Sequence, residues 1–503
     1  MRIAVRRRIA AAIVLGGGIV GIAATFGETT VDASWWSPND GRTLQQRVDY
    51  PNEHGVATTL NINGPLSTAG HPFFTSLTAN GRACVTCHQP ADGMSVSIDS
   101  IRKRWEATGG KDPIFAAIDG SNCPSLPQGA AGSHSMLLEH GLFRIARPWP
   151  PRDRDGTPID PEFTLEVVRD PTRCNLDPHY GLTSAQPMVS VYRRPRPTAN
   201  LKYVTSVGFN FEPKNGLPLP TDAETGRLIS GNLLADGRLP TIRAQIRDAM
   251  RVHLEVQAPT PPSTLDAIET FLGGVYSAQS VHRVGGLLTD AGAEGGPETL
   301  RDAREGDLQY GGAPIWEEFL PWAKAADDPE LSAEQRAFRE SVARGAEIFA
   351  KRTFLIDNSA GITNMGFGNP VRNSCAFCHN MQRTGMDVAP GQVDIGTTNV
   401  PHANSAPHMP LFKLTCRADV RPHPHLGRVV YTQDPGFALT TGKCIDIGKI
   451  TIQQMRALAS RPPYFANGSA RTIREIVDYY ERRYRIGLTE QEKQDLTNLM
   501  SVL

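Results

Sequence analysis

The sequence predicts a mainly α fold in two domains, with long irregular loops and a few short strands. Three observations support this prediction. The chain has 503 residues, which is too long for one ordinary domain. Several segments repeat apolar residues at helical spacing behind a capping residue. The 39 prolines and 47 glycines interrupt these segments and indicate extensive loops.

The chain opens with an export segment. Arg2 and three arginines at 6–8 precede an apolar run at residues 9–26. This order is typical of a secretory signal peptide, although no clean small-residue cleavage site follows. The run is also close to the lower length limit of a membrane-spanning helix. Residues 1–26 are therefore interpreted as a signal peptide or an uncleaved membrane anchor.

One motif occurs twice, at residues 84–88 (CVTCH) and 375–379 (CAFCH). Cys-x-x-Cys-His attaches c-type haem, because the thiols bond the haem vinyl groups and the histidine ligates the iron. A redox dithiol or a zinc centre with four thiolates would need only the cysteines. Since both copies carry the histidine, we expect two covalently bound haem c groups, each in a cytochrome c-like domain.

The N-terminal haem domain is predicted at residues 27–280. A helix is expected at 240–255, where proline suits the first turn. A second helix is expected at 265–276, opened by Ser263 with an acidic residue three positions later. Residues 281–331 are rich in glycine and acidic side chains, and we interpret them as the linker between the domains.

The C-terminal haem domain is predicted at residues 332–503. Capping boxes at Ser332 and Thr489 each begin a helix, and the first helix carries a buried stripe at 338, 342, 345 and 349. Another helix is expected at 473–485. Residues 389–450 are rich in histidine and proline, and we interpret them as an insertion in this domain.

The charge balance argues against a nucleic-acid partner. The 52 basic and 52 acidic residues cancel. Removing residues 1–26 takes away four arginines and no acid, so that 48 basic residues face 52 acidic ones. Haem propionates would add further negative charge, whereas nucleic-acid-binding proteins are usually basic.

Four cysteines lie outside the haem motifs. An oxidising compartment favours the disulfides Cys123–Cys174 and Cys416–Cys444, each within one half of the chain. The alternative is four buried free thiols. Haem attachment and disulfide bonds together predict the periplasm.

Several further segments occur in the order found in the bacterial di-haem cytochrome c peroxidases, and the chain resembles this superfamily from about residue 70 to its end, apart from residues 389–450. The superfamily includes the di-haem enzyme of methylamine utilisation, which oxidises a partner protein. The matching segments are RPRPTAN at 194–200, ADGR at 235–238, MR at 455–456, PYFANG at 463–468 and EIVDYY at 475–480.

The resemblance implies different tasks for the two haems. His88 would be the proximal ligand of the peroxide-reacting haem, and His379 that of the electron-accepting haem. The family's distal glutamate falls on Glu255, with His253 and Gln245 as alternatives on the same predicted helix. Many relatives close the first haem with a second histidine soon after the motif. Since the next histidine here is His134, we expect an open first haem, although His134 or His140 could still reach it.

At the second haem, the family places Met or Tyr as the sixth ligand, and the matching position is Tyr480. A phenolate favours higher oxidation states than a thioether does. Tyr479, Met409 and Met455 are the alternatives. The family's tryptophan between the haems is replaced here by Ala235. Trp105 and Trp149 are therefore considered as carriers of charge.

The resemblance also implies a calcium ion between the domains, held by an asparagine and backbone carbonyls. Pro195 stands at the asparagine position, although the carbonyl positions near Arg461 and Pro463 remain. The sequence therefore leaves a bound calcium ion as a possibility.

Together these features predict a periplasmic peroxidase that reduces hydrogen peroxide with electrons from a small c-type cytochrome or copper protein. Two alternatives stay open. One is an oxidase or oxygenase that acts on a protein or an organic substrate, and the other is a non-catalytic electron-transfer cytochrome.

Overall fold

The computed structural model describes residues 34–153, 156–206, 221–227, 229–303, 315–387, 391–401 and 406–503. The predicted leader at 1–26 lies outside the described residues, as do residues 304–314 of the predicted linker and residues 389–390 at the start of the predicted insertion. No helix in the described part of the chain is long and apolar enough to cross a membrane.

The described helices are α1 (Ile98–Thr108), α2 (Ser135–His140), α3 (Leu201–Thr205), α4 (Ile242–Val252), α5 (Pro262–Gly273), α6 (Pro297–Asp302), α7 (Ala333–Lys351), α8 (Ala438–Thr441), α9 (Ile473–Tyr484) and α10 (Glu490–Ser501). The described strands are β1 (Thr43–Leu44), β2 (Arg47–Asn52), β3 (Gly55–Asn61), β4 (Leu66–Ser67), β5 (Phe143–Pro148), β6 (Phe163–Arg169), β7 (Met188–Arg193), β8 (Val275–His282), β9 (Gly286–Leu287), β10 (Phe354–Ile356), β11 (Val371–Asn373), β12 (Gln392–Val393), β13 (Leu411–Cys416), β14 (Val429–Thr432) and β15 (Ile450–Thr451).

The prediction of a mainly α fold is wrong. Helices hold 31% of the residues and strands 17%, in several separate sheets. The longest strand, β8, is buried along nearly its whole length and mixes apolar with small polar residues. A strand that is covered on both faces shows no alternation of apolar and polar residues, so the sequence pattern gives no period-two signal.

Most of the predicted helices begin at or within a few residues of the predicted position. α7 and α10 begin behind the predicted capping boxes at Ser332 and Thr489. The stripe of α7 at 338, 342, 345 and 349 is buried. α4 begins later than predicted, behind Thr241, whose hydroxyl accepts a hydrogen bond from the Ala244 amide.

Both predicted ends of α5 are wrong. The helix begins at Pro262, so Ser263 lies inside it and does not cap it. The helix stops at Gly273, and residues 275–276 begin β8 instead of extending the helix. Gly274 follows the helix at a close contact, where a Cβ atom would overlap the side-chain nitrogen of Asn63.

The largest sheet has the order β2-β3-β8-β9 and lies in the N-terminal half of the chain. A second sheet has the order β14-β13-β6. Its strands β13 and β14 come from the predicted insertion, whereas β6 comes from the first half of the chain, and β13 pairs antiparallel with β6. The insertion therefore packs against the N-terminal half.

Two disulfide bonds are formed, and one of them lies at the end of this second sheet. Cys123 is bonded to Cys174 and Cys416 to Cys444, with S–S distances of 2.14 and 2.07 Å. Cys416 is the last residue of β13 and stands opposite Phe163 of β6. The second disulfide therefore holds the end of the sheet that joins the two halves of the chain.

Helices α7 and α10 pack closely in the C-terminal half. Gly345 lies at their contact, where a Cβ atom would overlap the carbonyl oxygen of Asp495. The apolar side chains of both helices join a cluster that includes Trp316, Phe319 and Phe349. This cluster extends to Cys375 and so supports the second haem motif from one side.

Candidate functional site

Each Cys-x-x-Cys-His motif forms a single 3₁₀ turn. The turns span Cys84–Thr86 and Cys375–Phe377, and the next residue closes each of them. In the first turn the Thr86 hydroxyl accepts a hydrogen bond from the Ala83 amide. The four motif cysteines are not in disulfide bonds, and burial raises the pKa of both Cys84 and Cys87 to about 12. Each turn therefore presents two protonated thiols beside a histidine.

The two motif histidines are oriented in the same way. Nδ1 of His88 lies 3.0 Å from the Met94 carbonyl oxygen, and Nδ1 of His379 lies 2.6 Å from that of Gly385. A carbonyl only accepts, so each Nδ1 carries the proton and each Nε2 keeps its lone pair. Burial lowers the pKa of both rings, and that of His88 to about 4. Both histidines are thus neutral and prepared to ligate a metal through Nε2.

A cavity of about 1180 Å³ of empty space, counted to its open mouth, lies beside the first motif. Cys84, Cys87 and His88 line it. The cavity is also lined by three residues spaced four positions apart along α4 and its C-terminal cap, Gln245, Ala249 and His253. One face of α4 therefore forms a wall of the first cavity.

His253 is held by a buried carboxylate. Its Nδ1 lies 2.6 Å from Oδ2 of Asp119, and Arg82 donates a hydrogen bond to Oδ1 of the same carboxylate. Burial alone would raise the pKa of Asp119, but the charge of Arg82 and the hydrogen bonds from His253 and Arg82 outweigh it and lower that pKa. Asp119 is therefore ionised and fixes the proton of His253 on Nδ1.

Glu255 lies outside this cavity. It follows the end of α4 with a positive φ of 56°, and its side chain is exposed. Its carboxylate accepts a hydrogen bond of 3.0 Å from the Asn80 amide. Among the residues predicted for the first haem's open side, the structure thus brings His253 and Gln245 into the cavity but not Glu255.

His134 and His140 do not line the first cavity. Both ring nitrogens of His134 lie 2.8 Å from carbonyl oxygens, those of Gly120 and Gln128. The ring of His140 stacks on that of His408 at 3.4 Å. Neither histidine therefore reaches the first cavity.

A second cavity, of about 1570 Å³ of empty space counted to its mouth, lies beside the second motif. Cys375, Cys378 and His379 line it together with Tyr480. Most of its other lining is aliphatic or aromatic. Both cavities are lined mostly by apolar groups, but they differ in the groups beside the motif, which are the His253–Asp119 pair in the first and Tyr480 in the second.

Tyr480 is the tyrosine whose hydroxyl stays free beside the second motif. Within the described residues that hydroxyl has no hydrogen-bond partner, whereas the Tyr479 hydroxyl donates to the Ile395 carbonyl at 2.8 Å. Burial, then the neighbouring Tyr484 and Tyr479, raise the pKa of Tyr480 well above its ordinary value.

The methionine alternatives are less well placed. Met455 also lines the second cavity, but its sulfur lies beside Gly385, the residue whose carbonyl oxygen faces Nδ1 of His379 rather than the free Nε2. Met409 packs in a separate cluster with Met136 and Tyr192. The geometry therefore favours Tyr480 over both methionines as the partner of the second motif.

The region between the cavities lacks the indole that the resemblance would place there. Ala235 is buried and lines the first cavity. Trp105 packs against Phe115, and Trp149 packs against Phe163. Neither tryptophan lines either cavity.

Asp119 and Arg82 are functional candidates that sequence reasoning missed. Asp119 lies in an irregular loop and 134 residues before its partner His253. No spacing rule connects such distant positions. Arg82 stands two residues before the first motif, and this proximity was the only available signal.

No family model, curated protein or solved structure matches this chain. In the described residues, no group of three or more His, Cys, Asp or Glu side chains is arranged to hold a bare metal ion.

Proposed function

We propose that the protein is a di-haem c-type oxidoreductase, with haem attached at each of the two motifs. More particularly, we propose a periplasmic peroxidase that reduces hydrogen peroxide to water with two electrons from a small c-type cytochrome or copper protein. The observation that carries this proposal is the contrast between the cavities. One cavity has the His253–Asp119 acid–base pair next to a haem motif, and the other has Tyr480, whose hydroxyl has no hydrogen-bond partner among the described residues.

The residues present fit two covalently bound haems. Each motif offers two unbonded thiols on one turn and a histidine with a free Nε2 beside a large cavity. Arg196 lines the first cavity, and its buried Nε has no hydrogen-bond partner in the described residues. A haem propionate would supply the missing acceptor. When bound, the haems supply the redox chemistry, and the protein's own residues supply binding and proton movement.

His253 is the residue best placed to move the proton. Heterolytic cleavage of peroxide needs a proton transferred from the near oxygen to the far one. With Nδ1 bonded to ionised Asp119, His253 keeps Nε2 as a base on the wall of the first cavity. The carboxylate also stabilises the imidazolium that forms when the ring takes the proton. Gln245, two turns before His253 on the same face of α4, offers an amide that can orient the peroxide.

Tyr480 and His379 would hold the second haem. Tyr480 lines the second cavity, and its hydroxyl has no hydrogen-bond partner among the described residues, so it is available to a metal. Ligation to iron would deprotonate the phenol and satisfy it. Such a haem would be suited to storing an oxidising equivalent.

Peroxide reduction is balanced as one peroxide, two protons and two electrons giving two waters. The test is stopped-flow mixing of the ferric holoprotein with peroxide, followed by steady-state turnover with a reduced small cytochrome or copper protein. We expect a rapid second-order spectral change and peroxide-dependent oxidation of the donor. No reaction with peroxide, together with spectra of two fully ligated haems, would leave only an electron-transfer cytochrome.

A second candidate is an oxidase of a protein or organic substrate. The observation that favours it is the aromatic cluster around the second motif. Tyr480 packs against Tyr479, Tyr484 and Phe465, which would help to hold an oxidising equivalent for slow transfer. A protein that reacts with peroxide but does not turn over with any small redox donor would favour this candidate.

The periplasmic location is supported by the two disulfide bonds, which persist in oxidising compartments. Fractionation of cells that express the full chain, with haem staining of each fraction, tests it. We expect haem-stained protein in the periplasmic or membrane fraction.

A further inference from the structure

Arg194 is a buried cation held by main-chain carbonyl oxygens. The residue is 7% exposed, and no ion pair of its side chain is found among the described residues. Its guanidinium instead donates to five carbonyl oxygens, those of Val96, Gly141 (2.7 Å), Arg461 (3.3 Å), Pro462 (3.4 Å) and Pro463 (3.1 Å). Burial and the charge of Arg461 lower the pKa of Arg194 to about 9, so the group stays charged at neutral pH.

These carbonyls come from distant parts of the chain. Val96 precedes α1, Gly141 follows α2, and residues 461–463 belong to the C-terminal half. The guanidinium therefore ties the two halves together. Arg194 and the adjacent Pro195 also line both cavities, so this joint lies between the two haem motifs.

The local structure is built around the guanidinium. Gly141 ends α2 with a φ of 64°, and a Cβ atom there would overlap Nη1 of Arg194. The backbone amide of Arg194 is fixed as well, because it donates to the Ala466 carbonyl at 2.8 Å. Both the arginine and its surroundings are thus held in one arrangement.

Carbonyl oxygens that converge from several segments are the ligands that calcium prefers. The resemblance implies a calcium ion near the carbonyls of Arg461 and Pro463, yet in this structure both oxygens accept hydrogen bonds from Arg194. A guanidinium that donates to these oxygens places a positive charge beside any calcium ion that they would bind, and the repulsion between two cations in a buried site opposes that binding. The residues present therefore do not fit a resident calcium ion.

We propose that the Arg194 guanidinium takes the place of an interdomain calcium ion. The joint between the two haem-bearing halves then carries a cation that is part of the chain and cannot be lost to a chelator. This inference does not depend on the peroxidase activity. Removing the guanidinium should leave a gap lined by carbonyl oxygens, and a hard cation such as calcium can bind in that gap.

The experiment compares wild-type holoprotein with Arg194→Asn, which removes the charge and adds a side-chain oxygen. After EDTA treatment, each protein is titrated with CaCl₂ by calorimetry and melted with excess CaCl₂ or EDTA. We expect the wild-type melting temperature to be the same in both solutions. The variant should melt lower in EDTA, recover in CaCl₂, and show one additional site with a Kd on the order of 10⁻⁴ M, as in extracellular calcium modules.

Two matched variants serve as controls. Arg194→Lys keeps a cation in the joint and should stay independent of calcium. Arg196→Asn removes a neighbouring arginine that does not contact these carbonyls and should gain no calcium site. A wild-type protein that loses stability in EDTA and regains it with CaCl₂ would overturn the proposal, and so would an Asn variant with no added site. If Arg194→Asn yields no folded holoprotein in ordinary medium, a yield restored by CaCl₂ supports the proposal and an unrestored yield contradicts it.

Discussion

Replacing His253 by glutamine tests the proton relay most directly. Glutamine can still donate a hydrogen bond to Asp119, so the buried Arg82–Asp119 ion pair keeps its partner. The amide cannot act as a base near neutral pH, so the variant removes the proton acceptor and little else. His253 is also only partly buried, with a side chain 33% exposed, so we expect the exchange of one polar group for another to leave the fold intact.

The expected loss of rate follows from the proposed role of His253 in general acid–base catalysis. General acid–base catalysis contributes about 10²–10⁴-fold to a rate. Since a factor of ten corresponds to about 1.4 kcal/mol, His253→Gln should raise the barrier to peroxide cleavage by about 3–5 kcal/mol. Glu255 is exposed and does not line the first cavity. Glu255→Gln should therefore change the rate of peroxide cleavage by less than about threefold.

The assay is stopped-flow absorption of each ferric variant mixed with peroxide, with the second-order rate constant read from the Soret change. Haem content and melting temperature establish that each variant is loaded and folded. Asp119→Asn is not a suitable variant, because it would leave the buried Arg82 without its counter-charge. A sharp loss in Glu255→Gln with an unchanged His253→Gln would refute the relay and restore the glutamate predicted from the resemblance.

Three further predictions concern other parts of the molecule. Tyr480→Phe should remove the proposed phenolate ligand and change the EPR signal and midpoint potential of the second haem. His140 and His408 are stacked, and burial with neighbouring charges lowers the pKa of both to about 4. An unfolded histidine binds its proton near pH 6.5, so unfolding takes up protons below that pH and stability falls on acidification from about 6.5 to 4. His408→Phe should reduce the loss of unfolding free energy between about pH 7 and pH 5 by about 1 kcal/mol, after allowance for partial exposure, as measured by urea unfolding. Gly345→Ala should destabilise the protein by about 2–3 kcal/mol in the same assay, because the added methyl group meets the Asp495 carbonyl at the contact of α7 and α10.

Each of these variants has a matched control. Tyr479→Phe removes the neighbouring hydroxyl and should leave the EPR signal of the second haem unchanged. His179→Phe alters an exposed histidine and should not change the pH dependence. Gly273→Ala places a methyl group where nothing lies within 4 Å and should cost far less than Gly345→Ala. If a control behaves like its partner, the physical reason given for that prediction is incorrect.

The sequence by itself determined the features that depend on near neighbours in the chain. Both haem motifs are such features, because two thiols and a histidine at fixed spacing form one turn wherever they occur. The capping boxes at Ser332 and Thr489 are another case, since their hydrogen bonds close within three residues. The helices that begin there could therefore be predicted at their first residue.

Only the tertiary structure decided what depends on distant residues. Strand β8 was missed because burial on both faces removes the alternation that a sequence pattern needs. Asp119 meets His253 across 134 residues, and Arg194 meets the Pro463 carbonyl across 269. Such contacts depend on how whole elements pack, and the local sequence around one partner does not predict the position of the other. The groups that share a cavity, and the cation between the cavities, could for this reason be read only from the folded chain.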